Sequence, residues 1–139
     1  MEVKLLNDNL WYPTDKIFIN GQWKDCHSKN RLPIENPSNG EVIAEISDSC
    51  DIDIDEAVNS ASKALDNSWG DLTASERGRL LLKLSELVRN RIDNLAIIES
   101  IDVGKPLKQA KSDALALARY FEFYGGASDK IMGETIPYL

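Results

Sequence analysis

The sequence predicts an α+β chain in which N-terminal β-hairpins are followed by three to four α-helices. Up to about residue 46 the apolar residues come in short runs, interrupted twice by turn signals, Asn20-Gly21 and Pro37-Ser38-Asn39-Gly40. From Asp51 onward they recur every three or four residues instead. The first pattern suits short paired strands and the second a helix with one apolar face.

Residues 1–15 read as a polar arm with two aromatic anchors, Trp11 and Tyr12, ahead of Pro13. "KIFINGQWKD" then places an apolar run on each side of Asn20-Gly21, a pair suited to the positive φ angles of a two-residue type I′ turn. Strands are expected at about 17–19 and 22–25. "RLPIENPSNGEVIAEI" repeats the scheme with a longer turn, so the hairpins together occupy about residues 16–46. Four short strands with open edges need another surface to cover them.

The helical region is expected over about residues 53–125. Its first helix, at about 54–66, carries Ile54, Ala57, Val58, Ala61, Ala64 and Leu65 on one face, with Asp53 as its N-cap and Glu56 as the capping-box partner. "DNSWGDL" ends it, and Thr73-Ala74-Ser75-Glu76 opens the next with a second capping box. Leu80, Leu81, Leu84, Leu87 and Val88 form a stripe that drifts across "RNRIDN", which predicts a kink or two shorter helices between 75 and 102. Pro106 suits the first position of a new helix, where a missing N–H costs nothing. Its stripe is Leu107, Ala110, Ala114, Leu117, Ala118, Phe121 and Tyr124, and Gly125-Gly126 is expected to stop it. The segment 134–139 reads as the start of an extended stretch with no partner after it, which suggests an incomplete unit.

Composition narrows the function. Hydrophobic residues make up 42% of the 139 and charged residues 28%, an ordinary balance for one folded domain. Sixteen basic against 23 acidic residues give a net charge of −7, with no basic stripe for neutralising phosphates, so nucleic acid is excluded as a partner. No apolar run approaches membrane-spanning length and no secretory signal opens the chain, so a cytoplasmic protein is expected. Two cysteines, Cys26 and Cys50, are too few for a disulfide framework and lack zinc-ligand spacing.

Residue types and their spacing offer little chemistry. "IDVGKP", residues 101–106, contains a Gly-Lys pair, but a phosphate loop needs a glycine where Glu99 stands and a Ser or Thr where Pro106 stands. It reads as punctuation between helices. His27 adjoins Cys26; a metal site or a Cys-His dyad is weighed against an exposed loop pair, and the loop pair is favoured because adjacent residues point apart. Asp51, Asp53, Asp55 and Glu56 crowd a helix start, where they complement the dipole. Arg77 and Arg79 read as an ion-pair anchor or, more simply, a solvated face.

The order of the pieces carries more. "FINGQW", "ENPSNGEVIAEI", "DIDEAVNSASKAL", Trp69, "SERGRLLLKLSELV", "IDNLAIIESIDVGKP" and "ARYFEFYGGASDKIMGETIP" resemble, in order and spacing, the N-terminal region of the NAD(P)-dependent aldehyde dehydrogenase superfamily over about residues 16–137. The resemblance implies the N-terminal part of that family's α/β nucleotide-binding domain. It also implies an activity: a cysteine attacks the aldehyde, hydride leaves to NAD or NADP, and a glutamate activates the water that hydrolyses the thioester. In the family those residues, and the ones that hold the dinucleotide, lie past the region matched here. No catalytic or cofactor-binding residue is therefore assigned in this chain, which is expected to be an inactive fragment that binds no dinucleotide alone. Neither Cys26 nor Cys50 matches the catalytic position.

Two further groups follow from the resemblance. In relatives similar to betaine aldehyde dehydrogenases a monovalent cation, K or Na, is held by oxygens at the positions of Ile34, Glu35 and Asp102, part of a larger set and so an incomplete site here; hard oxygen ligands suit such an ion. Asp113, Leu117 and Tyr120 match a helix lining the substrate entrance. The alternative to an enzyme fragment is a stand-alone binding or assembly module that docks through exposed strands and apolar helix faces. Helices deprived of the nucleotide-binding sheet would expose those faces, so self-association is expected.

Overall fold

The structure, a computed structural model, describes residues 15–134. The arm with Trp11 and Tyr12 and the stretch Thr135–Tyr138 lie outside the described residues. Within them the chain order is β1 (Lys16–Ile19), β2 (Gln22–Asp25), β3 (Arg31–Glu35), β4 (Val42–Ser47), α1 (Asp51–Asp66), α2 (Ala74–Arg89), α3 (Ile92–Val103) and α4 (Leu107–Ala127). The α+β expectation of hairpins followed by helices is met.

β1 and β2 form one antiparallel pair, β3 and β4 another, and the two pairs are separate two-stranded sheets. Asn20 and Gly21 take φ values of 53° and 75°, the positive pair a type I′ turn needs. That turn sets Ile19 opposite Gln22 and Phe18 opposite Trp23, whose rings stand 4.9 Å apart. In the second hairpin the turn closes through Gly40 N–H to the Asn36 carbonyl at 2.8 Å, and the register slips between Ile34 and Glu35. A bulge there interrupts the ladder and increases the local twist.

Of the expected kink or pair of shorter helices, the structure has the pair: α2 ends at Arg89, with Asn90 as its C-cap, and α3 begins at Ile92. The capping box at Thr73 is present, with Glu76 N–H donating to Thr73 Oγ1 at 3.2 Å and Thr73 N–H to Glu76 Oε2 at 2.8 Å. α4 packs against both α2 and α3 and is the centre of the helical half. Its buried residues are small: Ala110, Ala114, Ala118 and Gly125 face inward, with Val88 on α2 and Ala96 on α3.

Several sequence expectations change here. Gly125 and Gly126 do not stop α4, which runs on to Ala127; Gly125 is buried where α4 crosses Gly78 of α2, so it serves close approach rather than termination. Pro106 is the N-cap of α4, one position earlier than expected, because its ψ of 135° is extended. The α2 face against α4 is Gly78, Leu81, Ser85 and Val88, whereas Leu80, Leu84 and Leu87 are exposed. The close contact is set by the small residues, and bulky neighbours at helical spacing are turned outward. On α4 the same holds: Leu107, Leu117 and Tyr124 of the expected stripe are exposed. On α1, Ile54, Val58 and Leu65 are exposed while Ala57 and Ala64 are half-buried.

Candidate functional site

Three places collect the residues with chemical potential. The first is the start of α1. The helix begins at Asp51 with Cys50 as N-cap, so Asp53 is its third residue and not the cap. An acidic residue at that position reaches back to the cap's free N–H, and Cys50 N–H donates to Asp53 Oδ2 at 3.0 Å. Cysteine is a poor cap by residue type, which is why spacing alone pointed to Asp53. Glu56, freed from the expected box, pairs with Lys24 on β2.

Asp53 is 1% exposed, the one charged side chain so buried among the described residues. Burial of a carboxylate requires donors on both oxygens. Cys26 Sγ donates to Oδ2 at 2.9 Å and Cys50 Sγ to the same oxygen at 3.3 Å. His27 donates to Oδ1 from its backbone N–H at 3.1 Å and from Nδ1 at 2.7 Å. The Cys26 thiol, then the His27 ring, hold the Asp53 carboxyl far below its ordinary range, and the two backbone N–H groups add to them against the opposing effect of burial. The reading of Cys26-His27 as a bare loop pair is thus revised: both point at one carboxylate, which lies 27 residues from Cys26 and 26 from His27. No sequence signal joins them, because the fold makes the contact.

The second place is the corner between the hairpin turn and the end of α3. Ile34 is half-buried opposite the buried Ala44, and Glu35 is exposed at the bulge. Asp102 is exposed one residue before the end of α3. The link between them is Pro37, which lies against Gly104, the left-handed C-cap of α3 with φ 71°. Among the described residues no three His, Cys, Asp or Glu side chains gather as metal ligands. The donors offered at this corner are oxygens, which fit a hard monovalent cation better than a transition metal.

The third place is the α3–α4 joint. "IDVGKP" is punctuation, as expected, with Gly104 closing α3 through its N–H to the Ser100 carbonyl at 3.1 Å. Lys105 also has a task the sequence reading missed. Its Nζ donates to Glu99 Oε1 at 2.5 Å and Asp113 Oδ2 at 2.8 Å, tying α3 to α4. The Asp113 carboxylate, then that of Glu99, raises the lysine's pKa. Asp113 is accordingly half-buried and engaged, while Leu117 and Tyr120 are exposed four and seven residues on, along the same side of α4. Arg77 donates to the Leu72 carbonyl instead of anchoring a carboxylate.

No helix of the described residues is long and apolar enough to cross a membrane. The family model of the aldehyde dehydrogenases matches residues 23–138. Human retinal dehydrogenase 2 is 42% identical over 132 residues, which are 93% of this chain and 26% of that protein. Among solved structures, an aldehyde dehydrogenase from Bacillus cereus superposes with a TM-score of 0.86 at 32% identity, over 91% of this chain and 26% of its own. A betaine aldehyde dehydrogenase from Staphylococcus aureus in complex with NAD+ superposes with a TM-score of 0.85 at 29% identity, again over 91% and 26%. The chain spans about a quarter of the length of the relatives it matches.

Proposed function

The chain belongs to the aldehyde dehydrogenase family, and on that premise we propose that it is the N-terminal part of an enzyme that oxidises an aldehyde to a carboxylic acid with NAD or NADP. The carrying observation is that nearly the whole described chain, hairpins and helices alike, follows the start of full-length relatives. In this reading the chain supplies scaffold: no nucleophile, general base or dinucleotide-binding residue is assigned to it. Alone it neither binds the dinucleotide nor turns over.

The same reading gives the second and third places their roles. Backbone oxygens at Ile34 and Glu35 and the Asp102 carboxylate contribute to a K or Na site completed by the rest of the enzyme. The seating of Pro37 on Gly104 supports this by joining the strand end to the α3 terminus. Asp113, Leu117 and Tyr120 face the aldehyde's entrance, supported by their spacing along one side of α4. Cytoplasmic residence completes the reading, in keeping with two free thiols.

The isolated chain self-associates in this proposal. Leu80, Leu82, Leu84 and Leu87 on α2 and Leu115, Leu117, Tyr120, Phe123 and Tyr124 on α4 are all exposed, and apolar surface of that extent seeks a cover. The purified chain mixed with NAD or NADP and a panel of aldehydes is expected to form no reduced nicotinamide; turnover would overturn the fragment reading. Sedimentation across a range of concentrations is expected to show association, and a monodisperse monomer throughout would remove that part.

A further inference from the structure

We propose that Cys26 and Cys50 form a redox couple that closes to an intramolecular disulfide with a small-molecule disulfide of the glutathione class as oxidant. The two thiols donate to the same oxygen, Asp53 Oδ2, at 2.9 and 3.3 Å. The sulfurs therefore stand no farther apart than those two contacts laid end to end. Asp53 acts as a positioning residue, holding both side chains turned toward one point from different elements, the end of the first hairpin and the cap of α1.

Access and tolerance favour the same conclusion. Both cysteines are half-buried, so a small oxidant can reach sulfur without unfolding the chain. Closing the bond removes both S–H donors from Asp53. The carboxylate still keeps three nitrogen donors, the Cys50 N–H, the His27 N–H and His27 Nδ1, so it stays satisfied in its buried place.

The exchange balances in two steps. One cysteine sulfur gives up its proton and bonds to a sulfur of the oxidant, whose S–S bond breaks and whose other half leaves as a thiol. The second cysteine then bonds to the first, and the remaining half of the oxidant leaves with the second proton. The chain loses two hydrogens and the oxidant is reduced to two thiols. The product fastens the loop after β2 to the N-terminus of α1.

The test uses the full chain in buffers of set ratio of reduced to oxidised glutathione, folded and in urea, quenched with an alkylating agent and weighed by mass spectrometry. Any chain with two cysteines closes to some extent when unfolded, so the decisive quantity is the ratio of the folded to the unfolded closure constant. It is expected to exceed about tenfold, since preset thiols have a higher effective concentration. Trypsin should then release the Cys26 peptide, residues 25–29, joined to the Cys50 peptide, residues 32–63. A ratio near or below one would overturn the proposal. So would a persistent mixed disulfide at either cysteine, or a disulfide between two chains. Cys26→Ser and Cys50→Ser, whose hydroxyls can still donate to Asp53, are expected to fold and to accumulate only the mixed disulfide.

Discussion

Gly78 and Gly125 meet across the crossing of α2 and α4 at backbone distance: a methyl group on Gly78 would lie 2.6 Å from the Gly125 carbonyl oxygen, and one on Gly125 3.0 Å from that of Gly78. The obstacle is main chain on both sides, so no rotamer change relieves it. The inward row of α4 is alanine and glycine because the helices touch this closely.

Gly78→Ala is therefore expected to cost about 1–3 kcal/mol, the range for overpacking a fitted contact, even though alanine is the better helix former. Gly126→Ala, one residue along at a place with nothing within 4 Å, should be neutral or stabilising by up to about 1 kcal/mol. Urea denaturation of the two variants beside the parent separates the effects; equal outcomes would mean that the helices do not cross as described.

Asp53 governs the acid limb of stability. Its carboxyl is held below the ordinary value of 3.8 in the folded state. A depressed acid contributes stability that is fully present above the unfolded value and is lost progressively as pH falls toward the folded one. The urea midpoint should fall steeply below about pH 4, and Asp53→Asn should flatten that limb while lowering stability at neutral pH. An unchanged acid slope in the variant would show that the cluster is not formed.

Lys105 has the opposite sign. Its pKa is raised above 10.5 by Asp113 and Glu99, so its contribution is fully present below the unfolded value and is lost as pH rises through the folded one. Lys105→Met is expected to be less stable than the parent near neutral pH, by less than Gly78→Ala because the pair is partly exposed. The two chains should converge in strong alkali. Persistence of the gap there would assign the loss to packing of the lysine stem instead.

Gly104 serves two purposes that substitution can separate. Its φ of 71° disfavours any side chain, and a methyl group there would lie 2.8 Å from Pro37 Cγ. Gly21, with φ 75° and open space around it, has only the first constraint. Gly21→Ala should cost about 1–2 kcal/mol, and Gly104→Ala more. Pro37→Ala in the Gly104→Ala background should recover part of the excess, measured as a coupling in denaturation midpoints; strict additivity would mean that the loop does not rest on the helix end.

Much of the fold was legible because its signals are local. Asn20-Gly21 specified its turn through backbone sterics, Thr73 and Glu76 a helix start through two short hydrogen bonds, and Gly104 a helix end through its missing Cβ. The candidate sites were less legible. Cys50 hid as a cap because capping preference belongs to Ser, Thr, Asp and Asn, and Asp53 took its place in the reading. Lys105 carries no local signal of its role, since its partners lie six residues before and eight after.

By itself the sequence determined the order of hairpins and helices and the family, because turn chemistry, caps and hydrophobic period act over a few residues. Tertiary structure alone decided which face of each helix is inside, since that depends on which neighbour offers the closest approach: Gly78 and Gly125 draw α2 and α4 together, and Leu80, Leu84 and Leu87 are left outside. It also decided that Cys26, His27 and Cys50 converge on Asp53. A buried charge must collect donors from wherever the fold can bring them, and no local pattern records that requirement.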